Sequence, residues 1–197
     1  MDTNTVEITA EITPNPNTLK FNVNKTLVAS GSLNYPDKEK AKGSLLAEKL
    51  FEIENVIGVM IGHDFITITK APAADWKPMV PPVTERIKTL LSQDQALFPQ
   101  GASAAGQGSA GLVAGAAVAG NIGDIEKKIQ QVLDNEIRPA VAMDGGDIIF
   151  YGYRDGVVTL HLQGSCSSCP SSIMTLKMGV ENRLKSLIPE VREVVQV

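Results

Sequence analysis

Cys166-Ser-Ser-Cys169-Pro170 sits between an alternating run, Val157 to Gln163, and an amphipathic one, Ser171 to Ile188. The first run predicts a strand and the second a helix, so both thiols fall on a strand-to-helix loop. Pro170 suits the first helical position, where its fixed φ fits and its missing N–H costs nothing. A helix N-terminus offers unpaired N–H groups and positive dipole charge, which favour thiolate over thiol. These are the only two cysteines in 197 residues.

Working outward, the C-terminal part reads as a small α+β domain. Ile122, Ile125, Ile129, Val132 and Leu133 mark an amphipathic helix that stops near Pro139. Asp144-Gly145-Gly146-Asp147 is a turn calling for positive φ, its Asp side chains capping backbone N–H groups. Ile148–Tyr153 and Val157–Gln163 form a hairpin across Arg154-Asp155-Gly156. The helix after the cysteines turns Ile173, Leu176, Val180, Leu184 and Leu187 inward, and Val191–Val197 ends the chain as a strand. The order is α-β-β-α-β.

The N-terminal part alternates at Val6–Ile12, turns at Pro14-Asn-Pro-Asn17, and alternates again at Leu19–Val23. A third strand is expected within Leu27–Tyr35. A short helix follows over Ser44–Ile53, then strands at Val56–Ile61 and Phe65–Lys70, and a last helix from about Val80 to Ser92. The expected fold class is α+β, with two small domains, each a mainly antiparallel sheet with two helices. Residues 1–98 form one and 122–197 the other. The Gly/Ala-rich stretch 99–121 has little to pack and much backbone entropy to lose, so it is expected to be a flexible linker reaching roughly 25 Å.

Composition narrows the function. Hydrophobic residues make up 43% and charged residues 20%, which suits a packed core, and the net charge of −4 argues against a nucleic-acid partner. The Ala/Gly tract is too weakly apolar for a membrane span. The start of the sequence shows neither a secretory signal nor an Arg-rich leader, so a cytoplasmic location is expected. In a reducing compartment a close cysteine pair is a metal or redox site more often than a structural staple.

Three uses of the pair stay open. A CxxC at a helix start after a strand suits a thiol–disulfide oxidoreductase. The single strand that follows the helix, and Pro189 at the far end from the sulfurs, weaken that reading. Zinc wants four Cys or His ligands, and besides the thiols one chain offers only His63, read as a turn residue, and His161, read as a solvent-facing strand residue, which leaves a Cys₄ zinc site bridging two chains. A [4Fe–4S] cluster also wants four thiolates, which two chains supply together around a two-fold axis. Held between subunits on an exposed loop, such a cluster is easily given away. The small residues Gly164, Ser165, Ser167 and Ser168 let cluster and second subunit approach the backbone.

The C-terminal residues carry a more specific pattern. Arg138-Pro139, Met143-Asp-Gly-Gly-Asp147, Val158–Leu162 and Gly164-Ser-Cys-Ser-Ser-Cys-Pro170 resemble the NifU-type C-terminal domain of Nfu iron–sulfur proteins. Thr13-Pro-Asn-Pro-Asn-Thr-Leu-Lys-Phe21, Leu50-Phe51 through Gly58-Val59, Asp64-Phe-Ile-Thr-Ile-Thr-Lys70 and Asp75-Trp76 resemble the Nfu N-terminal domain. The resemblance implies a non-enzymatic carrier or scaffold. It would bind a [4Fe–4S] cluster through Cys166 and Cys169 of two chains and pass it to apo-proteins. Its expected partners are upstream cluster donors, apo iron–sulfur clients, and a second copy of itself when loaded.

Lys177, Arg183 and Lys185, on the helix after the cysteines, read either as a docking face for an acidic partner or as an ordinary solvated face. Trp76 reads as core packing more readily than as a client anchor. With no cysteine of its own, the N-terminal domain is assigned protein recognition by elimination.

Overall fold

The computed structural model describes residues 5–29, 31–93, 97, 122–167 and 170–197. The expected linker at 99–121 lies outside the described residues, as do Ser168 and Cys169. The fold is α+β, built on two sheets.

The first sheet contains β1 (Ile8–Ile12), β2 (Thr18–Val23), β3 (Leu33–Tyr35), β4 (Val56–Ile61) and β5 (Phe65–Lys70), in the order β1-β2-β5-β4-β3. All its pairings are antiparallel. Alternation sends Leu19, Phe21, Val23, Val59, Ile61, Ile66 and Ile68 to one face. There they meet Leu46 and Leu50 of α1 (Leu45–Phe51) and Val83 and Ile87 of α2 (Trp76–Ser92). Each such side chain, fully buried, stabilises the fold by about 1.5–3 kcal/mol. The third strand is shorter than expected.

Helix α2 starts four residues before the expected Val80. Asp75 accepts the Lys77 N–H at 3.2 Å as an N-cap, and Met79 is already buried, so packing carries the helix through Pro81 and Pro82. Trp76 packs against the core, and its indole N–H donates to the Pro16 carbonyl at 3.0 Å.

The second sheet has the order β6-β7-β8, from β6 (Gly146–Arg154), β7 (Val157–Gly164) and β8 (Glu193–Gln196). β6 and β7 form the expected hairpin. β8 runs parallel to β7, because α5 (Pro170–Leu187) crosses over between them. Along α5, Val180 and Leu184 are buried, whereas Leu187 is exposed and Ile188 takes its place in the core.

The first C-terminal helix does not stop at Pro139. α3 (Ile122–Val132) passes through a π-helical turn at Leu133–Ile137 into α4 (Arg138–Met143). The Arg138 N–H reaches back to the Leu133 carbonyl. This wide turn places Pro139 at the start of a new helical segment, where a missing N–H is tolerated. Ile129, Leu133, Val141, Ile148, Val158, Leu160, Leu162 and Leu184 make this second core.

Candidate functional site

The strand-to-helix junction is where the sequence places it. β7 ends at Gly164, a short 3₁₀ turn covers Ser165–Ser167, and α5 begins at Pro170. The Ser167 hydroxyl closes the turn by donating to the Gly164 carbonyl at 2.8 Å. Cys169 lies outside the described residues, so geometry at the site rests on Cys166.

Cys166 departs from the expectation of an exposed loop. Its residue surface is only 5% accessible, and it joins the core with Ile129, Leu133 and Ile148. The physical cause is Gly146. A Cβ built on that glycine would fall 2.5 Å from Cys166 Sγ and 3.0 Å from the Gln163 carbonyl oxygen, so the absent side chain leaves the hollow that the sulfur fills. Ser165 Oγ stands 3.7 Å from Cys166 Sγ.

The Asp144–Asp147 segment is therefore the second half of the site. Gly145 has the expected positive φ, at 73°. Its N–H donates to the Ala142 carbonyl at 3.0 Å, and its own carbonyl accepts the Ser165 N–H at 3.2 Å. The Ser165 hydroxyl donates to the Asp144 carbonyl in a short bond. Turn and cysteine loop are thus bonded backbone to backbone.

Asp147 caps the Ile148 N–H at 2.8 Å, as expected of a turn aspartate. It also takes a role the sequence did not suggest. Arg138 Nε and Nη2 grip its two oxygens at 3.0 and 3.2 Å, while Arg138 Nη1 reaches Asp134 at 2.9 Å. Burial works against the guanidinium charge, but hydrogen bonds and attraction from Asp147, then Asp134, outweigh it and hold the Arg138 pKa above its ordinary value.

The other singled-out residues do not converge on the thiol. His161 is half-buried, with Nδ1 at 2.5 Å from the Val197 carbonyl oxygen and Tyr151 beside its ring. His63 Nδ1 lies 2.7 Å from the Val28 carbonyl oxygen. Among the described residues, no three His, Cys, Asp or Glu side chains gather as a metal site. Arg183 pairs with Glu136 at 2.6 Å and Lys185 with Glu181 at 2.5 Å, so two of the three α5 cations are engaged in exposed ion pairs. No helix among the described residues is long and apolar enough to cross a membrane.

The profile of the NifU-like domain matches residues 129–195, and that of the scaffold protein Nfu/NifU N-terminal domain matches residues 8–94. The human protein named NFU1 iron-sulfur cluster scaffold homolog, mitochondrial, is 40% identical over 191 residues, covering 96% of this chain and 71% of its own length. This chain belongs to the Nfu family.

A second Nfu-family relative, NifU-like protein 4, mitochondrial, from Arabidopsis thaliana, is 36% identical over 194 residues, covering 98% of this chain and 66% of that protein. The Drosophila sechellia NFU1 homolog is 41% identical, and the chain spans 64% of its length. A solution NMR structure of a NifU-like protein from Saccharomyces cerevisiae is 27% identical with a TM-score of 0.43, covering 47% of this chain and 83% of that one. The expected cytoplasmic location is corrected by these comparisons, since the human, plant and fly relatives are named as mitochondrial. The relatives are also longer than this chain, so its first residues are no guide to compartment.

Proposed function

We propose that this Nfu-family protein carries a [4Fe–4S] cluster as cargo, bound by Cys166 and Cys169 of two chains, and delivers it to apo-proteins. The observation that carries the reading is the thiol count at the junction. One chain brings two cysteines, three residues apart at the start of α5, and a cluster of this type is held by four. A two-fold pairing supplies the rest. The family and the names of its members support an iron–sulfur scaffold role.

In this reading residues 1–98 and 122–197 are separate domains, and the linker at 99–121 lets the cysteine loops of two chains meet. Release is ligand exchange. Acceptor thiolates replace Cys166 and Cys169 one at a time, the cluster keeps its electrons, and no substrate bond is remade, so the protein acts as a carrier and not as an enzyme. Upstream donors load it by the same exchange in reverse.

Anaerobic reconstitution with iron and sulfide tests the ligation. The wild-type chain should take up about four iron atoms per dimer, and Cys166→Ser or Cys169→Ser should abolish stable loading. A serine variant that still holds a full cluster refutes it. An insulin-reduction assay separates the redox alternative: turnover should be negligible, and robust activity requiring both cysteines would replace the carrier reading.

A further inference from the structure

The two sheets meet at the cysteine loop. The face of the N-terminal sheet opposite its own core presents Lys20, Thr67 and Met60 as one cross-strand row, since Lys20 pairs with Thr67 and Thr67 with Met60 in register. An outward-facing row of this kind normally faces water. Here Thr67 is fully buried and Met60 is 1% exposed, although neither belongs to the N-terminal core.

What covers them is the cysteine loop and its supporting turn. The Thr67 hydroxyl donates to the Gly145 carbonyl at 2.7 Å. Met60 packs on Gly164 so closely that a Cβ there would lie 2.7 Å from its Sδ. Asn15 donates from Nδ2 to the Ser165 carbonyl at 3.0 Å, directly beside Cys166. Ser32 donates to Asp147 Oδ2 at 2.5 Å.

Asn15 is itself held rigidly. Its Oδ1 accepts the Asn17 N–H at 3.0 Å, and its carbonyl accepts the Thr13 and Thr18 hydroxyls at 3.0 and 3.1 Å. The grip on Ser165 is therefore preorganised, and one of its ends is the peptide that leads into Cys166.

We infer that the outer face of the N-terminal sheet is a docking surface for the chain's own cysteine loop, and that Asn15 and Thr67 clamp the loop with Cys166 turned inward. A sulfur packed against Gly146 cannot reach a cluster shared with a second chain. Release of the clamp frees the Ser165–Cys166 segment to turn outward, so docking of the N-terminal domain sets the availability of the thiol. The consequence for cluster loading rests on the carrier reading above; the clamp on Cys166 does not.

Two substitutions loosen the clamp. Asn15→Asp keeps the acceptor for Asn17 N–H but removes the donor and sets a carboxylate against the Ser165 carbonyl. Thr67→Val keeps the shape and removes one hydroxyl, while Gly145 O retains the Ser165 N–H. Ser32→Ala, at a partly exposed position, is a third variant if either of these fails to fold.

The test is the rate at which iodoacetamide alkylates Cys166 in the reduced, metal-free full chain, read by peptide mass spectrometry with Cys169 resolved separately. Loss of one hydrogen bond should raise the Cys166 rate roughly five-fold, and the double variant should exceed either single one. Trp76, the sole tryptophan, bonds to Pro16 beside Asn15, so its unchanged emission certifies that the N-terminal domain remains folded. A folded double variant that labels at the wild-type rate overturns the clamp. Faster labelling without faster anaerobic cluster uptake upholds the clamp and overturns its link to loading.

Discussion

Gly146 faces Cys166 so closely that any side chain on it would occupy the space of the sulfur, at 2.5 Å from Sγ. The Asp-Gly-Gly-Asp turn and the CxxC loop, about twenty residues apart in sequence, are therefore one unit. Gly146→Ala should cost about 1–3 kcal/mol of C-terminal domain stability through overpacking and shift Cys166 from its seat. Urea denaturation measures the first effect, and the Cys166 alkylation rate the second.

Gly179 on α5 gives the opposite result. A Cβ there would meet nothing within 4 Å, and the position is exposed on the helix. Gly179→Ala should stabilise the domain by about 0.5–1 kcal/mol, as expected for removing glycine from a helix interior. Denaturation of the single variant beside Gly146→Ala reads both signs in one experiment.

Asp147 joins three elements: Arg138 from α4, its own β6, and Ser32 from the N-terminal part. Its side chain is 10% exposed, that of Arg138 31%. Asp147→Asn should lower stability by about 2 kcal/mol, because it leaves a half-buried guanidinium short of its counter-charge. The urea midpoint should fall with little change in slope.

Glu181 on α5 accepts from Lys185, then from the Val194 N–H at 3.0 Å, and these bonds hold its pKa below the ordinary glutamate value of 4.5. A lowered folded pKa means the contribution is fully present above 4.5 and is lost as pH falls through the folded value. The carboxylate is solvent-screened, so the effect is small. Glu181→Gln should lower stability slightly above 4.5, meet the wild-type curve in acid, and so flatten the slope below 4.5.

The sequence made the site's outline legible because its signals were local. Alternation in Val157–Gln163, helical periodicity after Pro170 and the glycine pair at 145–146 each report on their own backbone. What escaped it was contact between distant segments. Thr67 and Met60 occupy strand positions whose parity points away from the N-terminal core, and nothing local shows that such a face is covered. Asn15 reads as a turn residue, which it is, while its second bond to Ser165 spans the whole molecule. The burial of Cys166 follows from the same gap, since a loop between strand and helix is exposed by default. Pro139 misled in another way: a proline ends a regular α-helix, but a π-helical turn just before it lets the chain go on.

The proposed carrier holds its cargo between two chains. Native mass spectrometry of the anaerobically loaded protein, with no added thiol, tests it most directly. Cluster mass should appear on a species of two chains, and that species should fall back to cluster-free single chains when the iron is chelated. A [4Fe–4S] cluster carried by one chain alone, with no outside thiol completing its ligands, would contradict it.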